Sequence, residues 1–244
     1  MKILAIDSSA LCASVALSDD KRRLSEAFIN TTNTHSETLL TMVESVMKNA
    51  GVTADDIDMF ACTVGPGSFT GVRIGVSLIK GLAFASNKPC VGVSTLEAYA
   101  NQLVGMKGII VAVSDARRCG LYNAVFVSDG EKVERLCEDR LSLPEELAVE
   151  ADSLAKEKKM NLYYTGDGYN RVRSLAKSAR VKDIPETLRL LNSYSVAQTA
   201  LGIYESAKDK SVFTDMSLAA TYLRPTQAER ELKEKNKSEK SDIL

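Results

Sequence analysis

Histidine is almost missing from this chain: His35 is the only one in 244 residues. A metal site built on two histidines is therefore excluded, and a Ser-His-Asp relay would have to rely on His35 alone. Neither charge is in excess, with 31 Lys and Arg against 32 Asp and Glu. No global field draws the chain to nucleic acid or to an anionic membrane, so any RNA contact has to be local or supplied by a partner. The five cysteines, Cys12, Cys62, Cys90, Cys119 and Cys137, are odd in number and nowhere spaced C-x-x-C. That argues for buried, reduced thiols in a cytoplasmic protein rather than disulfides or a metal knot. The N-terminus, Met1-Lys2-Ile3-Leu4-Ala5-Ile6-Asp7, enters a strand-like run without signal-peptide architecture. No apolar run of membrane-spanning length is evident, and no membrane association is expected.

Four of the 14 glycines fall in one stretch, Thr63-Val64-Gly65-Pro66-Gly67-Ser68-Phe69-Thr70-Gly71-Val72-Arg73-Ile74-Gly75. The apolar run Met59 to Val64 suits a strand covered on both faces. Gly65-Pro66-Gly67 breaks it, and Ser68 or Thr70 is placed to cap the next helix. From Thr70 to Ser86 apolar residues surround most of the helical cylinder, leaving a narrow polar strip at Arg73, Ser77 and Lys80. Such a helix must be covered on more than its core face. Three readings fit the stretch: an anion cradle at a helix N-terminus, a docking surface for another protein, or a tight turn before a core helix. The Gly-Lys-Ser/Thr ending of a P-loop is absent.

The rest reads as strands and helices in a repeating order. Residues 2–30 predict three strands joined by tight turns. Residues 36–50 predict a helix with an apolar stripe roughly 160° wide, more than one core face needs, and Gly51 stops it. Before it, Thr34-His35-Ser36-Glu37 has capping-box spacing and places His35 as a solvent-facing residue of the first turn. Cys90-Val91-Gly92-Val93 predicts another strand, followed by a helix capped by Ser94 or Thr95. The opening pattern then returns about 107 residues on: Ile109 to Val113 for Ile3 to Ile6, a strand from Cys119 to Val127, and a third from Val133 to Cys137. A helix from Pro144, a strand Leu162 to Thr165, the turn Gly166-Asp167-Gly168 and a helix from Ser193 or Ser195 complete it. Two similar α/β halves around a cleft follow, divided as 1–104, 105–224 and a charged tail, 225–244. Half of that tail is charged, five residues of each sign, which predicts a solvated helix or disorder.

This plan is that of the duplicated actin-like ATPase and sugar-kinase (ribonuclease H-like) fold. Within it, His35-Ser36-Glu37-Thr38-Leu39-Leu40, Gly65-Pro66-Gly67-Ser68-Phe69-Thr70-Gly71-Val72-Arg73-Ile74-Gly75, Lys80-Gly81-Leu82-Ala83, Ser114-Asp115-Ala116-Arg117-Arg118 and Tyr222-Leu223-Arg224 resemble the TsaB (YeaZ) family. The resemblance is specific over 1–120 and at 222–224 and looser between. It implies a non-catalytic relative of TsaD, the metal-using transferase that moves threonylcarbamoyl to N6 of adenosine 37 in tRNAs reading codons that begin with A. It also implies a heterodimer with TsaD through the first two helices, joined by the ATPase TsaE, with tRNA met indirectly through the complex.

On that basis Leu39, Leu40, Val43, Val46, Met47, Val72, Ile74, Gly75, Leu78 and Leu82 are the expected interface, since adjacent helices exposing them would leave a patch too large for a soluble monomer. Alone, the same helices would pair two copies. No catalytic residue and no metal ligand is assigned. Candidate anion or nucleotide contacts are Gly65, Gly67, Ser68, Thr70, Gly71, Arg73 and Asp7. No cofactor is expected on this chain alone, and ATP with Mg²⁺ is placed at the assembled complex. The turns after the first strand of each half, Asp7-Ser8-Ser9-Ala10-Leu11 and Asp115-Ala116-Arg117-Arg118, have no glycine to admit phosphate. The alternative is a nucleotide-dependent kinase or ATPase that uses the cleft.

Overall fold

Strands β1 (Ile3–Asp7), β2 (Ala13–Ser18) and β3 (Arg23–Ile29) begin the computed structural model, which describes residues 1–224 except Lys21 and Thr32. The charged tail lies outside the described residues. Helix α1 (His35–Ala50) ends at Gly51, whose φ of +63° and N–H bonds to the last carbonyls close the helix. Strand β4 (Met59–Gly65), helix α2 (Phe69–Ser86) and strand β5 (Cys90–Ser94) follow. The first sheet runs β3-β2-β1-β4-β5. β1 is antiparallel to β2 and parallel to β4, in register Ala5↔Ala16 and Ala5↔Ala61.

Alternation along β1 separates two cores. Ile3 and Ala5 join one hydrophobic cluster, while Leu4 and Ile6 join the other, beneath α1 and α2. Both faces of the sheet are therefore covered, which is why β1, β2 and most of β4 are apolar and buried with little polar alternation.

Helix α3 (Thr95–Asn101) leads into the second sheet, built from β6 (Gly108–Asp115), β7 (Leu121–Ser128), β8 (Val133–Arg135), β9 (Arg140–Ser142), helix α4 (Pro144–Glu157) and β10 (Leu162–Thr165). Its order is β10-β6-β7-β8, with β9 also on β7. The repeat of strand order is as the sequence predicts, with one difference. The expected third strand, 133–137, is shortened to β8, which pairs with the end of β7 at Phe126–Ser128, and a further short strand, β9, pairs with the start of β7 at Leu121–Asn123. The Arg135 guanidinium bonds to Asp139 (2.6 Å) and Glu97 (3.3 Å).

A short helix α5 (Tyr169–Arg173) precedes α6 (Ser193–Ser206). α6 starts at Ser193, one of the two starts expected, and is capped by Asn192, whose Oδ1 accepts from the Ser195 N–H at 2.9 Å. Ser193 instead bonds to β2, donating its hydroxyl to the Ser14 carbonyl at 2.7 Å. Strands β1 to β5 form the first sheet and β6 to β10 the second, but from α6 onward the chain lies back on the first. α6 packs on β1, β2, β4 and β5, while α3 touches β4 and β5 on one side and β6 and β7 on the other. A terminal strap continues that return. The Cys90 N–H donates to the Phe213 carbonyl at 3.1 Å and the Thr221 N–H to the Val64 carbonyl at 2.7 Å.

Helix α2 is long and apolar enough, by length and composition alone, to cross a membrane. The reading that no run reaches that length is corrected on this point. Gly71, Val72, Gly75, Val76, Ile79 and Ala83 are buried on the first sheet, so here it is a core helix with an additional apolar side.

Candidate functional site

The glycine stretch is filled by its own chain. An ideal Cβ at Gly67 would lie 2.3 Å from the Ser9 carbonyl oxygen, and one at Gly71 would lie 2.0 Å from that of Ser8. The loop therefore lets the β1–β2 turn settle against the start of α2. Ser68 donates its N–H to the Ser9 carbonyl at 2.6 Å, and the Ser8 hydroxyl donates to the Gly71 carbonyl at 2.9 Å. Ser68 also caps α2, accepting from the Gly71 N–H at 3.3 Å, while Thr70 is exposed. A phosphate cradle needs N–H groups free to face the anion. With Gly67 and Gly71 against Ser8 and Ser9, and Gly65 at φ +111° under the Thr221 carbonyl, this loop does not fit one.

His35 belongs to the same contact. Its Nε2 lies 2.8 Å from the Ala10 carbonyl oxygen, which can only accept, so Nε2 carries the proton. The ring is half-buried over Gly71, so the solvent-facing placement is corrected: His35 braces α1 against the β1–β2 turn.

Arg73 faces outward at the first turns of α2. Its guanidinium carbon lies 3.7 Å from the Phe69 ring centroid, and Nε donates to the Tyr222 hydroxyl at 2.6 Å. Phe69 and Tyr222 stack with centroids 4.9 Å apart. Two motifs far apart in sequence, 65–75 and 222–224, thus meet in one cation–π cluster. The pairing was not legible in the sequence, although both segments drew attention individually.

At the end of β1, Asp7 is fully buried. Its Oδ1 accepts from the Thr63 hydroxyl at 2.6 Å and the Ser9 N–H at 3.1 Å, and Oδ2 has no partner among the described residues. Burial pushes its carboxyl above the ordinary value, against the hydrogen bonds of Thr63 and Ser9. Asp167 is raised as well, first by burial, while its Oδ1 accepts the Asp115 N–H at 3.0 Å. Gly166, at φ +111°, brings this turn so close to Val113 that a Cβ would overlap the Val113 carbonyl oxygen. Arg171 clamps the neighbouring Asp115–Gly120 turn, bonding to Asp115, to the Arg117 carbonyl at 2.7 Å and to the Gly120 carbonyl at 2.9 Å. Among the described residues no three His, Cys, Asp or Glu side chains gather as metal ligands. The buried cysteines are inert: burial pushes Cys12 up to about 12 and Cys90 to about 11.

The ten expected interface residues divide by burial. Leu39, Val43, Val46 and Val72 fill the subunit's own core beneath α1 and α2, and Gly75 is buried with its Cα side toward the Ser8 hydroxyl. Those five do not form surface. Met47, Ile74, Leu78 and Leu82 are half-buried, and Leu40 is 50% exposed. Ile74, Leu78 and Leu82 recur at i, i+4, i+8, one continuous stripe on α2 that packs partly on the core beneath it and is partly exposed. Phe84, 76% exposed near the end of that helix, stands roughly 120° around it from that stripe and was not among the expected residues. The two helices touch one another.

Comparison with known proteins places the chain. The family model for TsaD, described as tRNA N6-adenosine threonylcarbamoyltransferase, matches residues 25–238. The tRNA threonylcarbamoyladenosine biosynthesis protein TsaB of Escherichia coli (strain K12) is 37% identical over 131 residues, 53% of this chain and 56% of that protein. The chain thus spans little more than half the length of that relative. The TsaB protein of Buchnera aphidicola subsp. Schizaphis graminum is 31% identical over 182 residues, 70% of this chain and 80% of that protein. Among solved structures, YeaZ from Pseudomonas aeruginosa superposes with a TM-score of 0.74 at 27% identity, covering 91% of this chain and 99% of that one. The ROK hexokinase of Thermus thermophilus, at TM-score 0.51 and 15% identity over 85% of this chain and 100% of its own, shares the fold alone. On the actin-like ATPase and sugar-kinase fold, and within the reach of the TsaD family model, this chain belongs to the TsaB (YeaZ) family.

Proposed function

We propose that the chain is a non-catalytic partner that binds and activates a TsaD-like transferase. Together they form threonylcarbamoyladenosine at position 37 of tRNAs reading codons that begin with A. One observation carries the reading: the half-buried apolar stripe Ile74, Leu78 and Leu82 of α2 and the exposed Leu40 of α1, on two helices that touch. Fully burying a leucine or isoleucine stabilises by about 1.5–3 kcal/mol, and these side chains leave part of that unrealised until a second surface covers them. The transferase docks there as a helix-on-helix contact of standard size. A TsaE-like ATPase joins the pair, tRNA reaches this chain through the complex, and ATP with Mg²⁺ belongs to the assembled complex. Without the transferase, two copies pair through the same face.

The kinase or ATPase reading has one observation in its favour, the unpartnered Oδ2 of buried Asp7. Against it stands the glycine loop, occupied by Ser8 and Ser9. Calorimetry with millimolar ATP on the chain alone separates the two: heat of binding lost in Asp7→Ala would favour the kinase.

The interface is tested by Leu40→Glu combined with Leu78→Glu. Two hot-spot losses of about 2 kcal/mol each weaken binding by roughly a thousandfold. Co-elution with the transferase and tRNA modification should both be lost in a variant that still melts cooperatively. Unchanged binding and activity would overturn the proposal.

A further inference from the structure

Positive charge collects at one end of the second sheet, away from both the cleft and the α1–α2 face. Lys107, Lys156, Lys158, Lys159, Lys177 and Lys182 are all exposed, and none has an ionic partner among the described residues. The fold brings them together from three segments. The Ile109 N–H bonds to the Asn161 carbonyl at 2.8 Å, setting Lys107 beside the end of the α4–β10 turn. The Leu162 N–H donates to the Arg180 carbonyl and the Lys182 N–H to the Leu162 carbonyl, both at 2.9 Å, so Lys182 runs along the start of β10. The Lys177 N–H bonds to Asp152 Oδ2 at 3.0 Å, one turn before Lys156 on α4.

Most carboxylates nearby are committed, the exceptions being Glu157 and Glu131, the latter exposed in the turn whose Gly130 carbonyl accepts the Gly105 N–H at 3.1 Å. Asp152 Oδ2 accepts from the N–H groups of both Lys177 and Ser178. Asp183 is held by Arg173 and by the Tyr169 hydroxyl, and Glu150 by Arg140. Glu157 is exposed on α4. Between Asn170 and Lys182 the sequence has five cations and no acid, in a chain whose net charge is −1.

Exposed ammonium groups without ionic partners raise the local positive potential, which draws a polyanion. Lysine is a point charge on a flexible stem, suited to phosphate oxygens without sequence reading. An anionic bilayer is the other polyanion, but interfacial binding also needs Trp, Phe or Leu at the surface. The exposed large apolar residues on the adjoining segments are only Val104 and Val149. We infer that this lysine surface binds the phosphate backbone of RNA directly. The inference leans on the proposed function only in naming that RNA as tRNA, and it departs from that reading in making the contact direct. α1 packs on β2, β3 and α2 of the other sheet, so a partner docked there leaves the lysines open.

The test is fluorescence anisotropy with labelled tRNA across 50–300 mM salt, on the full chain alone and in complex with the transferase. The variant is Lys158→Glu with Lys177→Glu and Lys182→Glu; a control of equal charge change, Lys88→Glu with Lys208→Glu and Lys210→Glu, lies on other segments. The patch variant should bind tRNA at least tenfold more weakly at 100 mM salt, and the slope of log K against log salt should fall by about 2. The control should stay within twofold, and the Lys→Gln version of the patch variant should be intermediate. Co-elution of the patch variant with the transferase should be unchanged. Equal loss in patch and control variants overturns the inference, as does no tRNA binding by the parent chain. Binding to phosphatidylserine vesicles without binding to tRNA overturns it in favour of a membrane. If the transferase fails to co-elute with the parent chain, the proposed function falls while the RNA measurement still decides this surface.

Discussion

Replacing Gly71 with alanine puts a methyl carbon into space already taken. An ideal Cβ there lies 2.0 Å from the Ser8 carbonyl oxygen, 3.2 Å from Cδ2 of His35 and 3.3 Å from Cβ of Ser68. The nearest atom is backbone and cannot swing aside, so α2 has to withdraw from the β1–β2 turn by roughly 1 Å or more to reach van der Waals distance. That movement stretches the 2.6 Å bond from the Ser68 N–H to the Ser9 carbonyl and the 2.9 Å bond from the Ser8 hydroxyl to the Gly71 carbonyl. Each bond contributes about 1 kcal/mol net, and the crowding costs about 1–3 kcal/mol. Alanine's helix propensity returns about 1 kcal/mol. The net loss is about 2–4 kcal/mol.

Gly81, ten residues along the same helix, has nothing within 4 Å of its ideal Cβ. There the propensity gain of about 1 kcal/mol stands alone. At about 2–4 °C per kcal/mol for a chain of this size, Gly71→Ala should melt roughly 5–15 °C lower and Gly81→Ala about 2–4 °C higher. Scanning calorimetry, with urea titration as a second probe, reads both. A Gly71→Ala chain melting within 2 °C of the parent would refute the close-approach argument, and so would a loss at Gly81 as large as that at Gly71.

Asp7→Asn should be more stable than the parent at pH 8 and nearly equal at pH 4. Burial raises the folded carboxyl above its unfolded value, so the folded state holds the proton more tightly and stability falls as pH rises through the folded value. Melting temperatures at the two pH values check this, and a variant less stable at pH 8 would refute it. Lys159 sits at φ +55° just past α4, where glycine is favoured. Lys159→Gly should gain about 0.5–1 kcal/mol in urea unfolding while weakening tRNA binding, whereas a destabilised variant would contradict the backbone reading.

Local signals survive in the sequence wherever short-range physics makes the choice. Apolar runs, turn residues and caps placed the strands β1, β2, β4, β6 and β10 and the helices α1, α2 and α4 close to their observed bounds. The doubled order of strands announced two halves, since each sheet repeats the same hydrophobic pattern. The apolar excess of α2 was equally plain from composition. A count of apolar residues, however, says nothing about direction. Leu39 and Leu40 are neighbours in sequence, yet one is buried and the other half-exposed, because successive helical residues stand about 100° apart and the sheet covers one side only.

Long-range contacts made the remaining decisions. The glycines of 65–75 looked equally suited to a phosphate and to a tight turn, and only the arrival of Ser8 and Ser9 against Gly67 and Gly71 settled their use. The third strand of the second half stops at Arg135, and a further short strand, β9, joins the start of β7. The joining of Arg73 to Tyr222, and of three lysine-bearing segments at one end of a sheet, depends on residues up to 149 positions apart. The sequence by itself determined which segments are strands and helices and that the fold is doubled, because those follow from side-chain period and turn chemistry among near neighbours. Tertiary structure alone decided which apolar and charged side chains remain on the surface, because burial is set by what packs against a residue from elsewhere in the chain.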